Sequence, residues 1–231
     1  SKTHHMQIQG SLGPIIRVTK TADLIEQGTL AEIKIKCLLL DYPKETKVMM
    51  RGQDYHKEVD YIVTNEARNK FVCKLAKSLK GNTLVLYNFV EKHGDVLDVM
   101  MKTMIGEDKY FYVHGGVDSE DRNEIRSIVE QMDDAVILAS YGTFSTGINI
   151  KRIHNIVLAS PTKSVIRVLQ SIGRGLRKGE GKDRLVLYDI ADDLANSKIN
   201  KNFAYKHWVE RLKIYASEQF PYTITTVTLN G

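Results

Sequence analysis

The stretch Gln170-Ser-Ile-Gly-Arg-Gly-Leu-Arg177 carries the side chains best suited to chemistry on an anion. Arg174 and Arg177 stand three residues apart and share one face if the segment is helical. Arginine keeps its charge and grips phosphate with a planar fork. Gly173 and Gly175 let a backbone or ligand come close. Val165, Val168, Leu169 and Ile172 follow helical spacing on the other side. Between Lys163 and Arg184 there are seven Lys or Arg and two Asp or Glu, so the basic excess is concentrated here.

Hydroxyl and amide groups follow several apolar runs. Asn88 lies next to the end of one such run at Phe89, which Val90-Glu-Lys-His93 follows. His114-Gly-Gly116 follows another, and Ser140-Tyr-Gly-Thr-Phe-Ser-Thr-Gly-Ile-Asn149 follows a third. Ser140, Thr143, Thr146 and exposed backbone N–H groups are neutral donors to phosphate oxygens. This third segment reads as a loop.

The elements that must position these residues alternate regularly from Asn65 onward. Strands are predicted at 83–89, 110–113, 135–139, 155–159 and 185–190, with helices between them. The helix over residues 65–81 shows Ala67, Phe71, Leu75 and Leu79 every four residues, and the helix over 91–105 shows Val96, Leu97, Met100 and Met104. After Asp118, Ile125, Ile128, Val129 and Met132 fall on one face. Apolar strands alternating with helices mean an α/β fold with a parallel sheet. Ligands of such sheets bind beyond the carboxyl ends of the strands.

Outside this block, Thr21 to Gly28 reads as a short capped helix and Ile33 to Leu40 as a strand. Tyr205, Trp208, Val209, Leu212 and Ala216 mark an amphipathic helix, and Tyr222 to Leu229 alternates like an edge strand. The expected divisions are 1–14 as the tail of a preceding unit, 15–64 as a connector, 65–195 as the α/β domain and 196–231 as a C-terminal extension.

The 231 residues are 42% hydrophobic and 26% charged, with a formal net charge of +5. The pI near 9.0 permits a polyanionic partner. Cys37 and Cys73 lie in apolar stretches without a C-x-x-C, as buried free thiols would. His4 and His5 have no neighbours that would complete a metal site. No apolar run reaches transmembrane length, so the expectation is a cytoplasmic chain with no membrane partner.

Order and spacing of the motifs resemble the second RecA-like domain of superfamily-two helicases. Leu84–Phe89 resembles motif IV, His114-Gly115 with Arg122 the next block, Ala139–Ile150 motif V, and Gln170–Arg177 motif VI. Motif V, the connector Thr21–Ala31 and the ending Phe220-Pro-Tyr222 are similar to phage helicases that remodel branched DNA in recombination and at stalled forks. The resemblance implies a RecA-like domain of P-loop NTPase type that lacks its own P-loop. It implies that Arg174 and Arg177 are arginine fingers and that Gln170 contacts the γ-phosphate or the attacking water. Gly147, Asn149 and Gly173 would lie by the nucleotide; many relatives carry Asp where this chain has Asn149. Asn88, His114, Ser140, Thr143 and Thr146 would face DNA.

The chain contains no G-x-x-x-x-G-K-[ST], so nothing in it cradles a triphosphate. The resemblance therefore implies ATP with Mg²⁺ held mainly by an N-terminal RecA-like domain of the same protein, with this piece inactive alone. Two other readings stay open. One is a nucleic-acid-binding module with no motor. The other, a Rossmann-type dinucleotide enzyme, needs a G-x-G-x-x-G after the first strand, and none follows it.

Overall fold

The computed structural model describes residues 32–147, 150, 152–162, 184–197 and 199–229. In chain order the elements are β1 (Glu32–Asp41), α1 (Lys44–Met49), α2 (Tyr55–Thr64), α3 (Glu66–Ser78) and β2 (Thr83–Tyr87). A π-turn (Val90–Gly94) then leads into α4 (Asp95–Ile105), β3 (Tyr110–Val113), α5 (Ser119–Glu130), β4 (Val136–Ser140) and α6 (Tyr141–Gly147). β5 (Asn155–Leu158), β6 (Arg184–Asp193), α7 (Phe203–Ser217) and β7 (Tyr222–Thr228) complete the described elements. The predicted helix at 21–28 and the histidines His4 and His5 lie outside the described residues.

The seven described strands form one sheet in the order β3-β4-β2-β5-β6-β1-β7, every pair parallel. This is the RecA-like α/β architecture expected. All carboxyl ends therefore fall on one edge. β1, from the segment read as connector, lies between β6 and β7, and β7 forms one edge strand with β3 at the other.

Successive residues of a strand point to opposite faces, and here both faces are covered. Leu84, Leu86, Ile137, Ile156, Leu158 and Leu187 pack in one core with Val129 of α5 and Trp208, Leu212 and Tyr215 of α7. Val85, Tyr87, Leu138, Val157 and Ile190 pack in the other with Ile62, Val72, Cys73, Ala76, Leu97 and Met101. Both cysteines are buried and free, and burial pushes the Cys73 thiol up to about 12.

Local capping starts the helices. Asp54 accepts from the Lys57 N–H, Asn65 from Arg68, and Asp118 from Glu120 and Asp121.

Four expectations are corrected. On α3 the fully buried stripe is Arg68, Asn69, Val72, Cys73 and Ala76, one residue on from the predicted Ala67, Phe71 and Leu75, which are half-buried along with Leu79. The helical period was right, but two polar residues open the inward face because each has a buried partner. On α4 and α5, Val96 and Ile128 are exposed, while Leu97, Met101 and Val129 carry the core contact. The helix predicted from Glu91 opens as a π-turn, with the N–H groups of both His93 and Gly94 on the Phe89 carbonyl. The segment after β4, read as a loop, is helical from Tyr141 to Gly147.

Candidate nucleic-acid and nucleotide interface

Strand register brings three of the predicted residues side by side. Val113 pairs with Ala139 and Tyr87 with Ser140, so His114, Ser140 and Asn88 stand at the ends of adjacent strands. Neighbouring strands lie about 4.8 Å apart, so the three ends span about 10 Å.

Asn88 is exposed, and its side chain has no partner among the described residues. Its backbone N–H donates to Ser160 Oγ at 3.0 Å. The His114 ring lies 4.9 Å from the Tyr112 ring, and its Nδ1 accepts from the Gly116 N–H at 3.1 Å. That bond puts the neutral imidazole's hydrogen on Nε2, which has no partner among the described residues. Arg122 fastens this loop, with Nε donating to the Val117 carbonyl at 2.8 Å and Nη2 to the Gly115 carbonyl at 3.2 Å. The predicted association of Arg122 with His114-Gly115 is thus a contact in the fold.

Ser140 does a different job. Its Oγ accepts from the Thr143 N–H at 3.1 Å and lies 2.8 Å from the Thr143 hydroxyl. This bond caps the first turn of α6 and explains why a hydroxyl-rich stretch is helical. Thr143 is buried. Thr146 lies within α6 and Gly147 is its last residue. Asn149, Gln170, Gly173, Arg174 and Arg177 lie outside the described residues.

The approach to residue 163 is held from both faces of the sheet. Arg68 Nη1 donates to the Ala159 carbonyl at 2.7 Å, while Nε and Nη2 grip Asp192 at 2.7 and 3.1 Å. On the other face, Arg211 Nη1 donates to the Thr162 carbonyl at 2.6 Å, while Nε and Nη2 grip Asp189 at 3.0 and 2.8 Å. Tyr42 and Tyr215 hydroxyls donate to Asp192 and Asp189 respectively. Burial alone would lower both guanidiniums, but the carboxylate beside each outweighs it and holds them above their ordinary value. Asp189 and Asp192 differ by three positions and so face opposite sides of β6.

Sequence reasoning missed this pair of clamps. The available signal was two carboxylates inside the apolar strand Leu185-Val-Leu-Tyr-Asp-Ile-Ala-Asp192. It also missed the role of Ser160 and of the π-turn.

Farther along the same edge, a cleft of about 670 Å³ is lined by residues that include Lys47, Arg51, Glu58, Asn196 and Lys201. Lys47 pairs with Asp41 and Lys201 with Asp193, and Glu58 caps α7 through the N–H groups of Phe203 and Ala204. Its charge is largely spent internally. Among the described residues no group of three or more His, Cys, Asp or Glu is placed to hold a metal ion. No helix among them is long and apolar enough to cross a membrane.

Residues 67–179 match the family model described as the helicase conserved C-terminal domain. Over 240 aligned residues the chain is 38% identical to the ATP-dependent DNA helicase uvsW of Enterobacteria phage T4, spanning 99% of this chain and 47% of that protein. The crystal structure of T4 UvsW superposes with a TM-score of 0.76, covering 87% of this chain and 43% of that one. At 14% identity the DNA-bound restriction-modification enzyme LlaBIII superposes at 0.59, covering 91% of this chain and 16% of that one. At 11% the C-terminal domain of the DEAD-box protein Dbp5 gives 0.51, covering 87% and 91%. These last two likenesses speak for the fold alone. The chain spans about half the length of the curated relative it matches.

Proposed function

With this chain belonging to the superfamily-two helicases through its conserved C-terminal domain, we propose that it is the C-terminal motor half of an ATP-dependent DNA helicase that remodels branched DNA. Its partner in that work is an N-terminal RecA-like domain that holds ATP and Mg²⁺. Arg174 and Arg177 lend positive charge across the cleft to the transferring phosphoryl group, and Gln170 lies at the γ-phosphate or the attacking water. Gly147, Asn149 and Gly173 line the nucleotide. Bound ATP supplies the phosphoryl group, and the residues of this chain supply charge and position.

Asn88 and His114 meet the DNA backbone with neutral donors, which grip a strand without reading its sequence. Ser140 and Thr143 serve the same contact through α6, which they start and which carries Thr146.

The observation that supports this reading best is the carboxyl edge itself. It gathers Asn88 and His114 beside a segment, 159–162, that two buried arginines hold at the entry to residues 163–183. The test is steady-state ATPase with the partner domain present. Arg174→Ala and Arg177→Ala should each lower the rate by about 10³ or more, the typical worth of an arginine finger. Rates within about twofold of the unaltered chain would leave the non-motor binding module as the better reading.

A further inference from the structure

A chain of four hydrogen bonds runs beneath the exposed Asn88. The Asn88 N–H donates to Ser160 Oγ at 3.0 Å, and Ser160 Oγ lies 2.7 Å from His93 Nδ1. His93 Nε2 lies 3.1 Å from Asn69 Oδ1, and Asn69 Nδ2 donates to the Val63 carbonyl at 2.9 Å. Asn69 and His93 are fully buried and Ser160 is 2% exposed.

Only one assignment of hydrogens satisfies every member. Val63 can only accept, so Asn69 turns its amino group there and its oxygen to His93. His93 then carries its hydrogen on Nε2 and accepts on Nδ1. Ser160 gives its single hydrogen to Nδ1 and takes one from Asn88. The order resembles a nucleophile, base and orienting amide. It cannot act as one, because Ser160 is shut off from solvent and its oxygen already accepts from the Asn88 N–H.

The chain crosses five separate pieces of structure: the end of α2, α3, the π-turn, and the segments following β5 and β2. The π-turn is what aims His93 inward. Its Gly94 leaves no room for a side chain, since a Cβ there would lie 2.5 Å from the Tyr87 ring. A single extra residue in a helix of this kind is common at functional sites.

We propose that His93 is a positioning residue: acting through Ser160, it fixes the backbone at Asn88 so that the free Asn88 amide is presented to the DNA strand. This rests on the strand-contact reading of Asn88 above and adds the device that aims it. A histidine that merely filled the core could be satisfied by any local acceptor. Here the chain ends on the backbone of an exposed residue whose own side chain has no partner among the described residues.

The test uses the 231-residue chain and a fluorescent single-stranded oligonucleotide at fixed salt, read by anisotropy. Asn88→Ala should raise Kd about fivefold, the worth of one hydrogen bond. His93→Gln keeps a polar atom near the Nε2 position but not the Nδ1 position, and should raise Kd by a similar factor. His93→Asn keeps an acceptor at the Nδ1 position and should bind within about twofold of the unaltered chain. The double variant Asn88→Ala with His93→Gln should bind no more weakly than Asn88→Ala alone.

Additive losses, or equal losses for Asn and Gln at position 93, would reduce His93 to a structural residue and overturn the proposal. Unchanged binding by Asn88→Ala would overturn the strand-contact reading, and the relay's purpose with it. Normal loss for Asn88→Ala beside unchanged binding for His93→Gln would overturn the relay alone. Should a variant at position 93 fail to fold, Ser160→Ala removes the acceptor of the Asn88 N–H itself and should raise Kd by the same factor, and imidazole ¹⁵N spectra of the unaltered chain test the link directly. The Nε2–H tautomer is expected. A ring that titrates like a free histidine would overturn the relay.

Discussion

At the β3–β4–β2 half of the carboxyl edge, polar groups end free: the Asn88 amide and His114 Nε2 have no partner among the described residues. At the β5–β6 half, stronger groups are turned inward, and every guanidinium nitrogen of Arg68 and Arg211 has a partner. Arg68 and Arg211 each spend three N–H groups, two on a carboxylate and one on a backbone carbonyl. Buried charge is tolerated only when paired and fully hydrogen-bonded. What the second half obtains from that pairing is backbone placement, because the third N–H of each arginine holds Ala159 or Thr162. The exposed half can afford unpaired donors since water satisfies them until a ligand arrives. The edge thus divides into groups that face outward and groups that place the chain.

The sharpest way to break this comparison is to remove one arginine of the inward half. Arg68→Ala and Arg211→Ala should each cost about 3–5 kcal/mol in urea unfolding, because an uncompensated buried carboxylate is left behind. Replacing Arg68 and Asp192 together by Met and Leu should recover most of that loss, as it removes both charges. A single loss below about 1 kcal/mol, the worth of a surface pair, would mean that these pairs place nothing.

A smaller effect separates the halves by pH. Burial first, and then the Arg68 charge, push the His93 imidazole down to about 3 in the folded chain, against 6.5 as its ordinary value. Between these values the unfolded chain binds the extra proton. Stability should therefore be whole above about pH 6.5 and fall as pH drops toward 3, by up to about 1.4 kcal/mol per pH unit. His93→Asn should remove this part of the slope. Matched unfolding curves at pH 7 and pH 5 check it, and parallel losses in both proteins would count against the buried neutral histidine.

Much of this was legible from sequence, for physical reasons. Val85, Leu138 and Val157 lie in runs apolar on both faces, which only a parallel sheet covered by helices accommodates. Motif spacing then placed Asn88, His114 and Ser140 at the same edge. What stayed hidden depended on long-range pairing. Arg68 and Asn69 look like surface residues of an amphipathic helix until Asp192 and His93, distant in sequence, arrive beside them. That shifted the buried stripe of α3 by one position. The helix at 141–147 was hidden for a related reason, since Gly142 and Gly147 suggest a loop and the Ser140 cap that offsets them is local geometry. The π-turn has no periodic signature, because one inserted residue only shifts the phase of the helix after it.

Ser140 lies on the border between the two halves, and it sharpens the comparison most finely. Its sequence position, next to Asn88 and His114 in register, argues for an outward role. Its hydrogen bonds argue for an inward one, since the hydroxyl is shared with the Thr143 N–H and side chain. The geometry favours the second. Ser140→Ala should cost about 1 kcal/mol of stability, the usual worth of a helix cap. Its oligonucleotide Kd should stay within about twofold of the unaltered chain, because the hydroxyl lost is one engaged with Thr143 and not with the ligand. A fivefold weaker Kd at unchanged stability, about one hydrogen bond, would instead move Ser140 to the outward set and make three adjacent strand ends the DNA contact.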